Sequence, residues 1–287
     1  MTPLPDGALR LAAPAKINLN LLVAPRRGDG YHPLDSLVVK ITLYDELGLR
    51  ARDDGRVTFA CEGAECGRDE DNLVPRAARL LAAGRQVGGV DIALTKRIPA
   101  GMGLGGGSSD AAATLVGLER LWGLALPREA LCEFALELGS DVPLFLGPPA
   151  ARMTGRGEQL APVQVHPFAA LLVLPPFGCS TAEVYRAFDA APGEPHSQLP
   201  AELLREPPSC WRGRLLNQLA PAARRVQPQL AEVLSRLEAT LPLPVCVTGS
   251  GSAMFALCDD RAEAAAMLSH VPDDLRELCV TVESNPW

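Results

Sequence analysis

The chain has few lysines, no paired cysteine motif and no long apolar run, and each absence narrows what it can be. The longest uninterrupted apolar stretch, Phe168 to Pro176, falls far short of the ~20 residues that span a bilayer, so no membrane helix is expected. Residues 1–13 have neither a basic start nor a continuous apolar stretch, which argues against a secretory signal and for the cytoplasm. The cysteines Cys61, Cys66, Cys132, Cys179, Cys210, Cys246, Cys258 and Cys279 are scattered, with no CxxC pair and no cysteine–histidine cluster. Buried thiols are therefore expected, and no metal site. A net charge of -7 excludes a broad cationic surface for nucleic acid, so an anionic ligand has to be held locally. Neither nucleic acid nor membrane is an expected partner. Only Lys16, Lys40 and Lys96 are lysines among the 27 Lys+Arg, so each lysine calls for an explanation.

What is present describes an ordinary globular protein. The 287 residues, 47% hydrophobic and 21% charged, suit two domains or one large one. From Leu9 to Val23, Ala15, Ile17, Leu19 and Leu21 alternate with Lys16, Asn18 and Asn20, the pattern of a strand with one apolar and one polar face. A glycine turn follows at Arg26 to His32. Further strands are expected at Ser36 to Leu43, Glu46 to Arg50, Val57 to Glu62 and Val90 to Lys96, with a helix at Leu73 to Ala83. Ala111 to Trp122 and Pro127 to Leu138 have helical spacing, the first opened by Ser108, Ser109 and Asp110 as helix-start residues. Beyond Gly155 the pattern predicts strands at Ala169 to Leu174, Val245 to Thr248, Ala253 to Cys258 and Leu278 to Glu283. Helices are expected near Thr181 to Asp189, Gly213 to Val226, Gln229 to Thr240 and Arg261 to Ser269. Ala191 to Ser209, rich in proline and polar residues, reads as a loop.

The strongest chemical signal is the glycine-rich segment Gly101 to Gly107 ahead of a helix. Glycines let backbone N–H groups approach a ligand, and the helix directs its positive end there, which makes an anion cradle. Gly101, Gly103 and Gly106 satisfy GxGxxG, yet the acidic residue a dinucleotide fold needs ~20 positions on is replaced by Glu119 inside the helix. No lysine follows the glycines as a Walker loop requires, and the HRDxxxxN and DFG signatures of protein kinases are absent. Asp141, after Gly139 and before the apolar run Val142 to Leu146, must find a partner or lose its charge, and on its own reads as a cap or an ion pair. Lys16 is its natural partner, against the alternative of a lysine on a solvated strand face. Thr248 to Ser252 reads as a hairpin turn or a site. Tyr31 and His32 could stack a base or cover the edge of the core.

In this order, the segments resemble the small-molecule kinase superfamily of galactokinase, homoserine kinase, mevalonate kinase and phosphomevalonate kinase. Pro14-Ala15-Lys16-Ile17-Asn18-Leu19 is similar to its first motif, Pro99 to Ala113 to its second and Thr248 to Ala253 to its third. Asp29-Gly30-Tyr31-His32, Asp71-Asn72-Leu73 and Gly139-Ser140-Asp141-Val142-Pro143 resemble the branch that acts on a cytidine diphosphate-linked methylerythritol in the non-mevalonate route to isoprenoid precursors. Asn217-Gln218-Leu219-Ala220 and Ser250 to Met254 depart from that pattern.

The resemblance implies an α+β, two-domain GHMP kinase fold. Residues 1–160 would form an ATP-binding domain like the second domain of a ribosomal small-subunit protein, and residues 161–287 a ferredoxin-like domain, with the return of the last strand to the first domain left open. It further implies ATP and Mg2+ as cofactors and transfer to the 2-hydroxyl of the substrate. Lys16 and Asp141 would be catalytic. Pro99, Ala100, Gly101, Met102, Gly103, Leu104, Gly105, Gly106, Gly107, Ser108 and Ser109 would hold the nucleotide. Asn18, Tyr31, His32, Thr181 and Tyr185 would hold the acceptor, with the base stacked between Tyr31 and Tyr185. No protein ligand to a metal is implied. A homoserine or mevalonate kinase would not need Tyr31 and His32, and a non-catalytic nucleotide binder could dispense with Lys16 or Asp141. Oligomeric state is not legible in the sequence.

Overall fold

A computed structural model describes residues 7–28, 30–63, 72–194 and 196–284. Asp29, Cys66 and Asp71, which the sequence reading uses, lie outside them. The chain divides into two compact units. One comprises residues up to Ala15, Leu43–Ala100 and Gly105–Pro148, and the other Lys16–Thr42, Gly101–Leu104 and residues from Pro149 onward. The boundary falls within two long paired strands, β1 (Leu9–Val23) and β2 (Leu34–Arg52). The break expected between strands at residues 43 and 46 is absent. β2 is continuous there because Asp45, fully buried, finds backbone N–H donors at Arg97 and Ile98.

In the first unit, β3 (Val57–Gly63) runs parallel to β4 (Gly89–Lys96), which pairs antiparallel with β2 from Glu46↔Thr95 to Arg52↔Gly89. Helix α1 (Leu73–Ala82) starts where Asn72 accepts a hydrogen bond from Val74 N at 2.9 Å, the usual stabilisation of an orphan first-turn donor. Its residues Val74, Ala77, Ala78 and Leu81 are all buried, an i, i+3, i+4, i+7 stripe. They meet Leu47, Leu49, Ile92 and Leu94 in one core with α2 (Gly106–Trp122) and α3 (Arg128–Leu138). A short helix, α4 (Val142–Leu146), follows.

The second unit pairs β2 with β5 (Ala150–Gly155), from Leu34↔Gly155 to Val39↔Ala150, and β5 with β6 (Gln159–Pro162). β5 and β6 were not expected from the sequence. A separate antiparallel sheet includes β7 (Ala169–Val173), buried along its whole length, with α5 (Thr181–Ala190), α6 (Ala220–Val226) and α7 (Pro228–Thr240) packed in its core. β8 (Val245–Val247), β9 (Met254–Cys258), α8 (Arg261–Met267) and β10 (Cys279–Glu283) complete it, in the strand order β10-β7-β9-β8.

The helix expected over 213–226 is shorter. Pro221 suits only a first helical turn, so α6 begins at Ala220, and Arg212–Arg214 forms a separate 3-10 turn. The cysteines also depart from expectation. Cys179 and Cys258 are buried free thiols, Cys210 is exposed on a 3-10 turn, Cys132, Cys246 and Cys279 are half-buried, and Cys61 is disulfide-bonded.

Candidate active site

The polar face of β1 is not solvated. Lys16, Asn18 and Asn20 are all at least 95% buried, so each polar group needs a partner. Lys16 Nζ donates to Asn18 Oδ1 at 2.6 Å, Asn18 Nδ2 donates to Ser36 Oγ at 2.7 Å, and Ser36 Oγ donates to the Asn20 carbonyl at 2.7 Å. Asn18 N donates to Thr248 Oγ1 at 2.9 Å. The first motif is thereby tied to the third, 230 residues away.

Thr248 to Ser252 is both a hairpin turn and a part of this cluster. It joins β8 to β9 antiparallel, from Val245↔Ala256 to Val247↔Met254, and presses against residues 101–104. A Cβ on Gly103 would lie 2.4 Å from the Thr248 carbonyl, and one on Gly249 would lie 3.2 Å from Lys16 Nζ. Lys16 N donates to Leu104 O at 3.0 Å, Ala253 N to Met102 O at 3.2 Å and Cys179 N to Gly101 O at 3.0 Å. Within the second unit the structure thus brings Lys16, Asn18, residues 101–104 and the 248–252 turn together. Thr181 joins them through a 2.9 Å hydrogen bond between its hydroxyl and that of Ser250.

The glycine segment alternates into the left-handed region at Gly101, Gly103 and Gly105, with φ of 70°, 73° and 72°, conformations that favour glycine. α2 begins at Gly106, capped by Gly105 with no side-chain hydrogen bond. Ser108 and Ser109 are therefore not caps, as the sequence suggested, but lie inside the first turn. The reason is geometric, since a left-handed N-cap position suits glycine and not serine. The first-turn N–H groups are left without a side-chain acceptor, and a Cβ on Gly107 would meet open space. Ser109 Oγ is buried with no hydrogen-bond partner among the described residues. Uncapped donors at a helix N-terminus beside open space fit a polyphosphate.

Asp141 lies in the first unit at the N-cap position of α4, half-buried, with Pro143 in the first turn. Its side chain makes no capping bond, so the cap reading fails.

His32 is buried, and both ring nitrogens are engaged. Nδ1 lies 2.9 Å from the Ala24 carbonyl and Nε2 lies 3.0 Å from Asp189 Oδ1. Its ring packs against Tyr185 at a 36° tilt with centroids 5.3 Å apart and meets Phe188 edge-on at 5.9 Å. One helix, α5, therefore holds the His32 ring on several sides. Tyr31 is 54% exposed, with the Arg156 guanidinium 4.3 Å from its ring centroid, a favourable cation–π distance. A cavity of about 580 Å³ opens beside His32, lined also by Arg26, Asp35, Phe188, Asp189 and Gln218.

Several supporting residues were not among the expected site residues. Asn217 donates through Nδ2 to the carbonyls of Val247 and Gly249, both at 2.8 Å, and so braces the third motif. Gln198, inside the proline-rich segment, accepts from Asn20 Nδ2 at 2.6 Å and donates to Asp35 Oδ1 at 3.1 Å. Burial pushes the Asp35 carboxyl up, but the Arg152 guanidinium bonded to the same carboxylate and the Gln198 amide together outweigh it and hold the carboxyl below its ordinary value.

A two-unit α+β chain with a glycine loop opening a helix, and a buried lysine tied to a second glycine turn, has the construction of a small-molecule kinase. Residues 72–147 match the GHMP kinases N terminal domain and residues 204–277 the GHMP kinases C terminal domain. The chain is 39% identical over 279 residues to a 4-diphosphocytidyl-2-C-methyl-D-erythritol kinase of Pelotomaculum thermopropionicum, covering 96% of this chain and 97% of that protein. It is 44% identical over 257 residues to the kinase of the same name from Ruegeria pomeroyi, covering 87% and 88%. A crystal structure of 4-(cytidine 5'-diphospho)-2C-methyl-D-erythritol kinase superposes with a TM-score of 0.78 at 36% identity, over 96% of this chain and 100% of that one. The chain belongs to the 4-diphosphocytidyl-2-C-methyl-D-erythritol kinase family of the GHMP kinases.

Proposed function

We propose that this protein transfers the γ-phosphoryl group of ATP to the 2-hydroxyl of 4-diphosphocytidyl-2-C-methyl-D-erythritol. The observation that carries the reading is the buried cluster of Lys16, Asn18, residues 101–104 and Thr248–Gly249, in a chain whose relatives bear that name along nearly their whole length.

The residues divide the work as follows. The segment Pro99 to Gly107, with Ser108 and Ser109 in the first turn of α2, holds the phosphates through backbone N–H groups. Mg2+, when bound with the nucleotide, would supply charge neutralisation and would need few ligands from the protein, leaving the N–H groups of this segment to position the phosphates. Asp141 accepts the proton of the acceptor hydroxyl, which is a poor nucleophile at neutral pH. Lys16 stabilises charge on the group being transferred, from a site where burial strengthens the interaction. Asn18 fixes the Lys16 ammonium and contacts the acceptor, and Thr181 shapes the same side.

Tyr31 and Tyr185 stack the cytosine base. The His32 ring is committed to Ala24 and Asp189, so His32 reads the base through its main-chain N–H and C=O.

The test is ADP release with ATP and Mg2+, offering the cytidylyl erythritol, homoserine, mevalonate and galactose in parallel. Turnover on the cytidylyl compound alone supports the reading. Turnover on another alcohol overturns the assigned acceptor.

A further inference from the structure

Three buried charges of the first unit have no place in the chemistry above. Lys96 Nζ donates to Asp45 Oδ2 and, at 2.7 Å, to Asp110 Oδ2. Asp45 is fully buried, and Lys96 and Asp110 are 7% and 1% exposed. Asp45 Oδ1 also accepts from Ile98 N at 2.8 Å and from Arg97 N at 2.5 Å. A Cβ on Gly106 would lie 2.9 Å from Ile98 Cγ2 and 3.2 Å from Lys96 Nζ. The last residues of β4 thus lie directly against the first residue of α2, and the segment leaving at Ile98 and returning at Gly106 is gripped at both ends by one set of charges.

Stability alone is a weak reason for such a group. Burying an ion costs several kcal/mol, and apolar residues of similar volume commonly serve as well or better. Ion pairs add directionality that an apolar contact lacks. Here a single ammonium fixes the end of β4, the middle of β2 and the N-terminal part of α2 relative to one another.

We propose that the Asp45–Lys96–Asp110 triad is a positioning device for the phosphoryl donor, holding the two ends of the glycine segment so that its N–H groups converge on the phosphates. The inference rests on the reading of residues 99–109 as the phosphate cradle. The triad touches neither nucleotide nor acceptor, and acts through the loop.

The readout that isolates this role is the preference for ATP over adenosine, measured as competing dissociation constants, beside the KM for the acceptor. Lys96→Met removes the ammonium. If that variant does not fold, the near-isosteric pair Lys96→Gln with Asp110→Asn removes the ionic grip at little change in volume. The ATP preference is expected to fall about tenfold or more, with the acceptor KM within about twofold of the parent, since small displacements of positioning groups carry large penalties. Equal weakening of ATP and adenosine, or no change in either, overturns the proposal. Gly107→Leu, which obstructs the loop itself, separates the two readings. If it abolishes the ATP preference while the triad variants do not, the cradle stands and the triad role falls. If it too leaves the preference intact, the cradle reading falls first.

Discussion

The Lys16 ammonium donates a 2.6 Å hydrogen bond to the Asn18 carboxamide oxygen, two residues along the same strand and equally buried. Residues i and i+2 share a strand face, and the donor sense of the bonds running on through Ser36 to the Asn20 carbonyl fixes which way the Asn18 amide points. A flexible lysine is thereby held in one place. Lys16→Met is expected to lower kcat about 100-fold or more, since charge stabilisation is a large part of such catalysis. Lys16→Arg should not rescue it, because Nζ is already so close to Gly249 that a Cβ there would lie 3.2 Å away, and the guanidinium is bulkier. Steady-state kinetics on both variants, with the melting temperature as a control for folding, decides this.

Asp141→Asn keeps the shape and removes the base. The expected result is a fall in kcat of about 100-fold or more, with nucleotide affinity nearly intact. Weakened ATP binding at normal turnover would contradict the assignment.

On the acceptor side, Tyr31→Ala and Tyr185→Ala should each raise the KM for the cytidylyl substrate about 5- to 150-fold, the equivalent of roughly 1 to 3 kcal/mol of base stacking. The KM for ATP serves as the internal reference and should not move. Tyr185→Ala should also lower stability, because that ring packs on His32 and on the core.

Two glycines of one loop should behave oppositely. Gly103 has φ of 73°, and a Cβ there meets the Thr248 carbonyl at 2.4 Å. Gly103→Ala should therefore cost about 2 kcal/mol or more in stability. Gly107 is helical, with open space where its Cβ would point, so Gly107→Ala should stabilise the helix by up to about 1 kcal/mol. If the loop holds phosphates, the same added methyl raises the KM for ATP. A rise in KM together with a rise in melting temperature is the signature sought.

Asp110 gives a pH dependence with a definite sign. Burial pushes its carboxyl up to about 7, with Asp45 adding to the shift and Lys96 opposing it. A carboxyl that binds its proton more tightly when folded makes the folded state lose stability as pH rises from about 4 through 7. Asp110→Asn removes that slope, so the variant should gain stability relative to the parent at pH 8 more than at pH 5. Thermal melts across this range provide the check, and parallel curves would contradict it.

The sequence revealed the elements more clearly than their surroundings. The alternation in β1 separated Lys16, Asn18 and Asn20 from Ile17, Leu19 and Leu21, but period-2 patterning shows that two faces differ and not what covers either one. That the polar face is buried under residues from 230 positions away is a long-range fact with no local trace. The break expected between Leu43 and Glu46 has the same origin, since the Asp45 carboxylate in mid-strand makes sense only once Lys96 and the N–H groups of Arg97 and Ile98 are beside it. Ser108 and Ser109 resembled caps, yet the left-handed glycine at position 105 takes that position. By contrast, the Thr248 to Ser252 turn, α1 and α7 followed from local signals alone.

The central claim is that the phosphoryl group goes to the 2-hydroxyl of the cytidylyl erythritol. The most direct measurement is phosphorus–carbon NMR of the product made by the purified protein with ATP and Mg2+, run beside Asp141→Asn. One new phosphomonoester coupled to C2 is expected, absent in the variant. A phosphate on another carbon, or an unaltered product signal with Asp141→Asn, would contradict it.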